Sequence, residues 1–259
     1  MLASARKRLG EGHWLAFFGL VLAAWAALYA MQVPADLAAA ASVYGAEFWA
    51  ALCGVEPGWA GYPSILAMWA LMAAAMMAPG FVPALATYDD LAGSGAASRR
   101  GFFALLAGYG AVWLGFAVLA SALQVTLASA ALVTPLGQSA TPWLTAGLLL
   151  GAGAYQFSAL KDACLSQCQA PFLFFLRHWR EDRWNPARLG LRLGGLCLGC
   201  CWALMALAFV GGAMNLAWMG LATLLMTLEK LPRIGRRTVR PLGIALIAAG
   251  LAAATRAMI

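Results

Sequence analysis

Leu193-Gly-Gly-Leu-Cys197-Leu-Gly-Cys200-Cys201-Trp202-Ala-Leu-Met205-Ala-Leu-Ala-Phe-Val210 contains no charged side chain. A run of this kind reads as a membrane helix, because about 20 apolar residues cross a bilayer. Backbone in hydrocarbon must also satisfy its own hydrogen bonds, which a helix does. The same run places three thiols within five residues, at Cys197, Cys200 and Cys201. Thiols so spaced are soft ligands for Cu(I) or Zn, or partners in redox exchange, while single buried cysteines are often only packing.

The rest of the chain has the same character. Hydrophobic residues make up 63% and charged residues 10% of its 259 positions, with a mean hydropathy of +0.79. Values this far from those of a soluble domain predict an integral membrane protein. The pattern gives an all-α, polytopic helical bundle of about seven transmembrane helices forming one membrane domain. The expected spans are 14–31, 62–88, 102–127, 143–160, 193–210, 214–228 and 242–258, with an external amphipathic segment at 35–56. Asp89 to Arg100 reads as a short cytoplasmic loop, and Lys161 to Arg192 as a longer one.

Charge tests that topology. The net charge of +7 is not a nucleic-acid signal, because the basic residues flank spans and no soluble basic domain exists. With the N terminus cytoplasmic, 16 of the 17 Lys and Arg fall on cytoplasmic segments and only Arg256 falls outside. That is a positive-inside pattern. The apolar run after Arg6-Lys7-Arg8 is long and lacks a small-residue cleavage site, so it reads as a retained span rather than a signal peptide.

Four constellations carry chemistry. Cys197, Cys201 and Met205 repeat at i, i+4, i+8 and share one helical stripe, with Cys200 beside it. Counting ~1.5 Å per residue from Arg192 puts Cys200 and Cys201 roughly 12–14 Å into the hydrocarbon. Cys164 and Cys168, also i, i+4, stand near the inner end of the fourth span, and Lys161 one turn earlier is placed to favour a thiolate. Met68, Met72 and Met76 form a thioether stripe in the second span, with Met72 at about 15 Å depth. Met214 and Met219 open the sixth span near the outer face, and Glu229-Lys230 closes it. A carboxylate at the end of a span is costly unless paired or used, and pairing of Glu229 with Lys230 or a nearby Arg is the expectation.

The remaining pattern narrows the chemistry. The only histidines are His13 and His178, which argues against a His-rich zinc, haem or type-2 copper centre. No phosphate-cradling loop of the Walker or GxGxxG kind is present, which argues against ATP-driven transport by this chain alone. Five of the six cysteines fall on the cytoplasmic half, where thiols stay reduced, and only Cys53 faces outward.

Met68-Trp69-x-x-Met72-x-x-x-Met76-Met77-x-Pro79 is the first of four motifs that recur together. The second is Tyr155-Gln156 with Leu160-Lys161-x-x-Cys164-x-x-x-Cys168-x-x-Pro171, and the third Cys197-Leu-Gly-Cys200-Cys201-Trp202-x-Leu-Met205. Gly212-x-Met214-Asn215-x-x-Trp218-Met219 with Glu229-Lys230 completes the set. In this order they resemble the predicted metal-binding integral membrane proteins, often described as copper chaperones, over about residues 62–235. The resemblance implies a multi-pass protein of a bacterial inner membrane with a metal role. The chain departs from the family pattern at Ala159 (commonly Pro), Gln169 (commonly Arg) and Leu193 (often His), so a site here must rely on sulfur.

The sequence reading is therefore a Cu(I)-binding membrane protein, more a carrier than an enzyme. Cys197, Cys200 and Cys201 form the primary site, and Met72, Met76 and Met205 support it. Cys164 and Cys168 lie toward the cytoplasmic end, and Met214 and Met219 toward the outer face. Its expected partners are the lipid bilayer, the metal ion and a copper-dependent membrane or periplasmic protein. Two rival readings stand beside it: a structural subunit whose Cys and Met only pack, and a thiol-redox protein cycling Cys164/Cys168 against the triple motif.

Overall fold

A stripe of small residues on one helix face lets two backbones touch, and that contact frames this chain. The structure is a computed structural model that describes residues 12–31, 58–93, 98–134, 137–213, 215–232 and 234–258. The expected external segment 35–56, Cys53, Met214 and the basic Arg6-Lys7-Arg8 run lie outside the described residues.

All named elements are helices: α1 (Gly12–Ala30), α2 (Tyr62–Met77), α3 (Val82–Gly93), α4 (Arg99–Ser129), α5 (Pro142–Tyr155), α6 (Ala159–Cys168), α7 (Pro171–His178), α8 (Asn185–Ala206), α9 (Ala208–Gly211), α10 (Leu216–Lys230) and α11 (Gly235–Met258). Among the described residues, five stretches are long and apolar enough to cross a membrane: Gly12–Ala30, Gly58–Met77, Arg99–Ser129, Asn185–Gly211 and Gly235–Met258. Many of their outward side chains are large and apolar, such as Leu20, Leu22, Leu114, Leu119 and Leu251. A surface of that kind suits lipid, not water.

α4 and α8 form the central pair, running parallel. A Cβ at Gly108 would collide with the Ala187 carbonyl, and one at Gly190 with the Leu105 carbonyl. Only glycine permits this approach, as is usual where membrane helices pack through small residues. α2 lies against α4, α1 against α2, and α6 against α8, while α5 and α11 pair antiparallel on the far side. Between α2 and α4 the Trp69 indole N–H donates to Gln124 Oε1 at 2.8 Å in the buried interior.

Three expected boundaries change. The expected span 62–88 breaks after Met77, where Pro79 opens a single 3₁₀ turn (Pro79–Phe81) before α3 begins. Proline has no N–H to continue the ladder, so the chain changes direction there. The expected span 143–160 also ends early: α5 stops at Tyr155, and Ser158 caps a new helix by accepting from the Lys161 N–H at 3.1 Å. A serine at this position supplies the acceptor that the first turn of α6 lacks. α5 has 14 residues and α10 has 15, so these two expected spans are short helices. Of the loop expected from Asp89 to Arg100, Asp89 to Gly93 are helical and belong to α3, where Asp89 Oδ2 accepts from the Trp14 indole at 2.9 Å and Oδ1 sits 3.2 Å from His13 Nε2. That contact ties α1 to α3.

Candidate metal centre

The thiol cluster follows from the α-helical period. Residues 197, 200 and 201 fall on one face of α8, and the structure turns that face inward, leaving each side chain at most 3% exposed. Their three Sγ atoms lie within 4.8 Å of one another. The Cys200 thiol donates to the Cys197 carbonyl at 3.2 Å, and its Sγ is 3.3 Å from that of Cys201. The five described cysteines carry no disulfide. Three soft donors converging in an apolar interior can hold a thiophilic ion, for which spacing and softness both fit.

The surroundings add groups that sequence reasoning missed. The Lys230 ammonium donates to Cys197 Sγ at 3.0 Å. The Tyr109 hydroxyl also lies 3.0 Å from that sulfur and donates to the Met77 carbonyl at 3.2 Å. Tyr109 is held in place by Phe81, whose ring stacks on it with centroids 3.9 Å apart. Hence the break after Met77 has a use: it brings Phe81 onto Tyr109 and Gly80 onto Lys230. A Cβ at Gly80 would stand 2.5 Å from Lys230 Nζ. Carbonyls in the last turn of α2 already have donors, Ala74's from the Ala78 N–H, Ala75's from the Trp25 indole and Met77's from Tyr109. The partial negative charge of that helix end lies toward the turn that Lys230 abuts.

Lys161 and Glu229 were expected to behave differently. Lys161 does not serve Cys164. Its ammonium pairs with Glu229 Oε2 at 2.8 Å, with both side chains 1% exposed. Glu229 therefore pairs across to α6, not with Lys230 or an arginine, because at the end of α10 these two neighbours point to different helices. The Gln169 side chain donates to the Glu229 carbonyl at 2.7 Å, which docks the end of α6 onto α10. Two of the sixteen cations that the sequence reading counts on cytoplasmic segments, Lys161 and Lys230, are buried among the helices and do not mark an interface.

The Cys164/Cys168 pair comes closer than its place in the sequence implies. Because α5 and α6 are separate helices, α6 folds back along α8. Gly199 leaves room for Cys164, since a Cβ there would lie 2.7 Å from its Sγ. The Cys168 thiol stands next to Cys200, close enough for the two side chains to interact. The pair that the sequence puts toward the cytoplasmic end thus borders the cluster. Tyr155, at the end of α5, donates to the Gly199 carbonyl, and its ring meets Trp202 edge-on with centroids 5.0 Å apart.

The methionines divide. Met72, Met76, Met205 and Met219 are buried in the same continuous core as the three thiols, together with Met68, Met77 and Met226. Met205 follows Cys201 by one turn on the inward stripe of α8. Leu193, where related sequences often carry His, is buried apolar packing. Tyr109 gave a faint signal, as a polar-tipped ring between Gly108 and Gly110 in an otherwise apolar run. Lys230 gave a clearer one as an ionisable group closing a span.

A bundle with five helices fit for a membrane and a buried three-thiol cluster is, by class, a helical protein able to hold a soft metal ion inside its core. The chain matches the family model PpoB2, described as copper chaperone, over residues 66–253, and it belongs to that family. No curated protein and no solved structure matches it.

Proposed function

We propose that this chain binds Cu(I) as cargo within a bacterial inner membrane and hands it to a copper-dependent acceptor. The observation that carries the reading is the convergence of Cys197, Cys200 and Cys201 in a buried, apolar setting. A monovalent soft ion is favoured there, since thiolate and thioether donors select Cu(I) and the core offers no histidine beside them. Metal binding replaces thiol protons and leaves negative charge in low dielectric, which the Lys230 ammonium on Cys197 offsets.

In this reading Cys197, Cys200 and Cys201 are the primary ligands. Cys168 and Cys164 form an adjoining relay on α6, and Met72, Met76, Met205, Met214 and Met219 serve as weaker thioether stations. Binding in steps of differing softness lets a metal leave as well as enter. The chain threads the bilayer as one domain of seven spans, with its N terminus in the cytoplasm and the short helices α5 and α10 completing the count. The positive-inside charge pattern supports that threading. It acts as a carrier, without chemical turnover.

The test is a titration of the purified chain with Cu(I) against a calibrated chelator. The wild type takes up metal with thiolate-to-copper charge-transfer absorption, and C197S/C200S/C201S loses that absorption and the tight site. A triple variant with unchanged stoichiometry and affinity overturns the reading in favour of packing cysteines. Alkylation trapping in cells separates it from thiol redox, which requires a substantial oxidised fraction.

A further inference from the structure

At the end of the bundle opposite α2's first turn, the two central helices begin side by side. α4 starts at Arg99 and α8 at Asn185, and because they run parallel their N-termini face the same way. Each long helix carries a partial positive charge at that end. The α4 start is capped by Ser98, but the α8 start has no side-chain cap.

Between these two starts opens a cavity of about 930 Å³ whose wall includes Ser98, Arg100, Gly101, Arg180, Arg183 and Asn185. Asn185 is only 3% exposed and belongs to the cavity wall, and no hydrogen bond joins its amide side chain to another described residue. Its one bond is through its backbone N–H, to the Asp182 carbonyl at 2.9 Å. An amide on the wall of a cavity with no such bond is a ready donor to the oxygens of an anion.

The charges point the same way. Of the two acids on this wall, Asp182 is already engaged: its Oδ2 accepts from Arg188 at 2.7 Å and its Oδ1 from the Trp184 N–H at 3.2 Å. Arg100, Arg180 and Arg183 then outnumber Glu181. Arg183 lies over the Trp184 ring, 5.3 Å from its centroid, which leaves its guanidinium charge uncancelled. Guanidinium groups beside a helix start are a natural receptor for a phosphoryl group.

From this we propose a second site, unrelated to the thiols, that takes a phosphate-bearing anion between the starts of α4 and α8. The oxygens accept from the three arginines and the Asn185 amide, and the two helix starts supply the remaining field. The shared chemistry is a phosphoryl group, and its source is either the headgroup of an anionic lipid or a free phosphate.

The experiment uses the full chain, purified in a neutral detergent and analysed by native mass spectrometry after exchange against phosphatidylglycerol or phosphatidylcholine, and separately against inorganic phosphate. Phosphatidylglycerol is expected to stay bound about 10–100-fold better than phosphatidylcholine, as three basic side chains near a surface predict. R100Q/R180Q/R183Q is expected to abolish that preference, while R236Q/R237Q/R240Q, the same charge change at the start of α11, preserves it. N185A lowers retention without altering charge, which keeps the site testable if the triple variant folds poorly. Variant-sensitive binding of inorganic phosphate without lipid preference assigns the free-phosphate source. Loss of lipid binding to the same degree in both triple variants, or no binding sensitive to Arg100, Arg180, Arg183 or Asn185, overturns the site. Cu(I) stoichiometry, measured on the same samples, is expected not to move, so failure here is distinct from failure of the metal reading.

Discussion

Two lysines are buried in this core, and they keep different company. Lys161 on α6 faces Glu229, a carboxylate, at 2.8 Å. Lys230 on α10 faces Cys197, a thiol, at 3.0 Å. The first partner is charged in the resting protein, so the pair is complete and holds α6 against α10. The second partner is a sulfur of the three-thiol cluster, so this cation stands beside a group that a bound metal ion would claim. A lysine in the first setting belongs to the fold, and one in the second belongs to the chemistry. Glu229 and Lys230 are neighbours in sequence, so one turn of α10 joins the two settings.

The contrast breaks most readily at the carboxylate. Glu229→Gln or Lys161→Met leaves one buried charge alone and is expected to cost about 3–5 kcal/mol, read as thermal unfolding in detergent. The double variant K161M/E229L is expected to recover most of that loss. If each single change costs no more than the double, the pair is not the latch described. Lys230→Met leaves behind a Cys197 that keeps its contacts with the Tyr109 hydroxyl and the Cys200 thiol, so its unfolding should shift less than that of Lys161→Met. Its Cu(I) affinity is expected to fall about 10–100-fold, the usual effect of removing a group that supports a metal ligand. Equal damage to stability in the two lysine variants would erase the distinction.

Smaller effects sharpen the same line. Tyr109→Phe deletes the hydroxyl's bond to the Met77 carbonyl and its bond with Cys197 Sγ, of about 1 kcal/mol each. Because the second bond reaches Cys197, the loss should show in competitive Cu(I) titration as well as in melting. Trp69→Phe removes the bond to Gln124, away from the thiols. It should cost about 0.6 kcal/mol in stability, the mean for such bonds between membrane helices, with metal affinity unchanged. A drop in affinity there would mean that the core transmits strain to the cluster.

The helical class and the thiol stripe were legible because each depends on local pattern. Apolar length announces a membrane helix, and the i, i+4 period alone sets Cys197 and Cys201 on one face. What escaped was whatever depends on two distant segments meeting. Nothing local in Lys161-x-x-Cys164 reveals that the ammonium turns to Glu229, 68 residues away. Tyr109 reaches Cys197 over 88 residues through the α4–α8 contact. The helix ends were partly readable: Pro79 is a plain breaker, whereas the stop at Tyr155 needed Ser158 to be weighed as a cap inside a run that otherwise reads as continuous.

Gly108 and Gly190 have a consequence for descent. A single added methyl at either would enter the opposite backbone, whereas each sulfur ligand can be exchanged for a residue of similar bulk without moving a helix. A lineage can therefore shed its cysteines one at a time and keep its shape, while one that loses this glycine pair must rebuild the frame at a stroke. Distant kin of this chain are better sought by the two glycines than by the thiols.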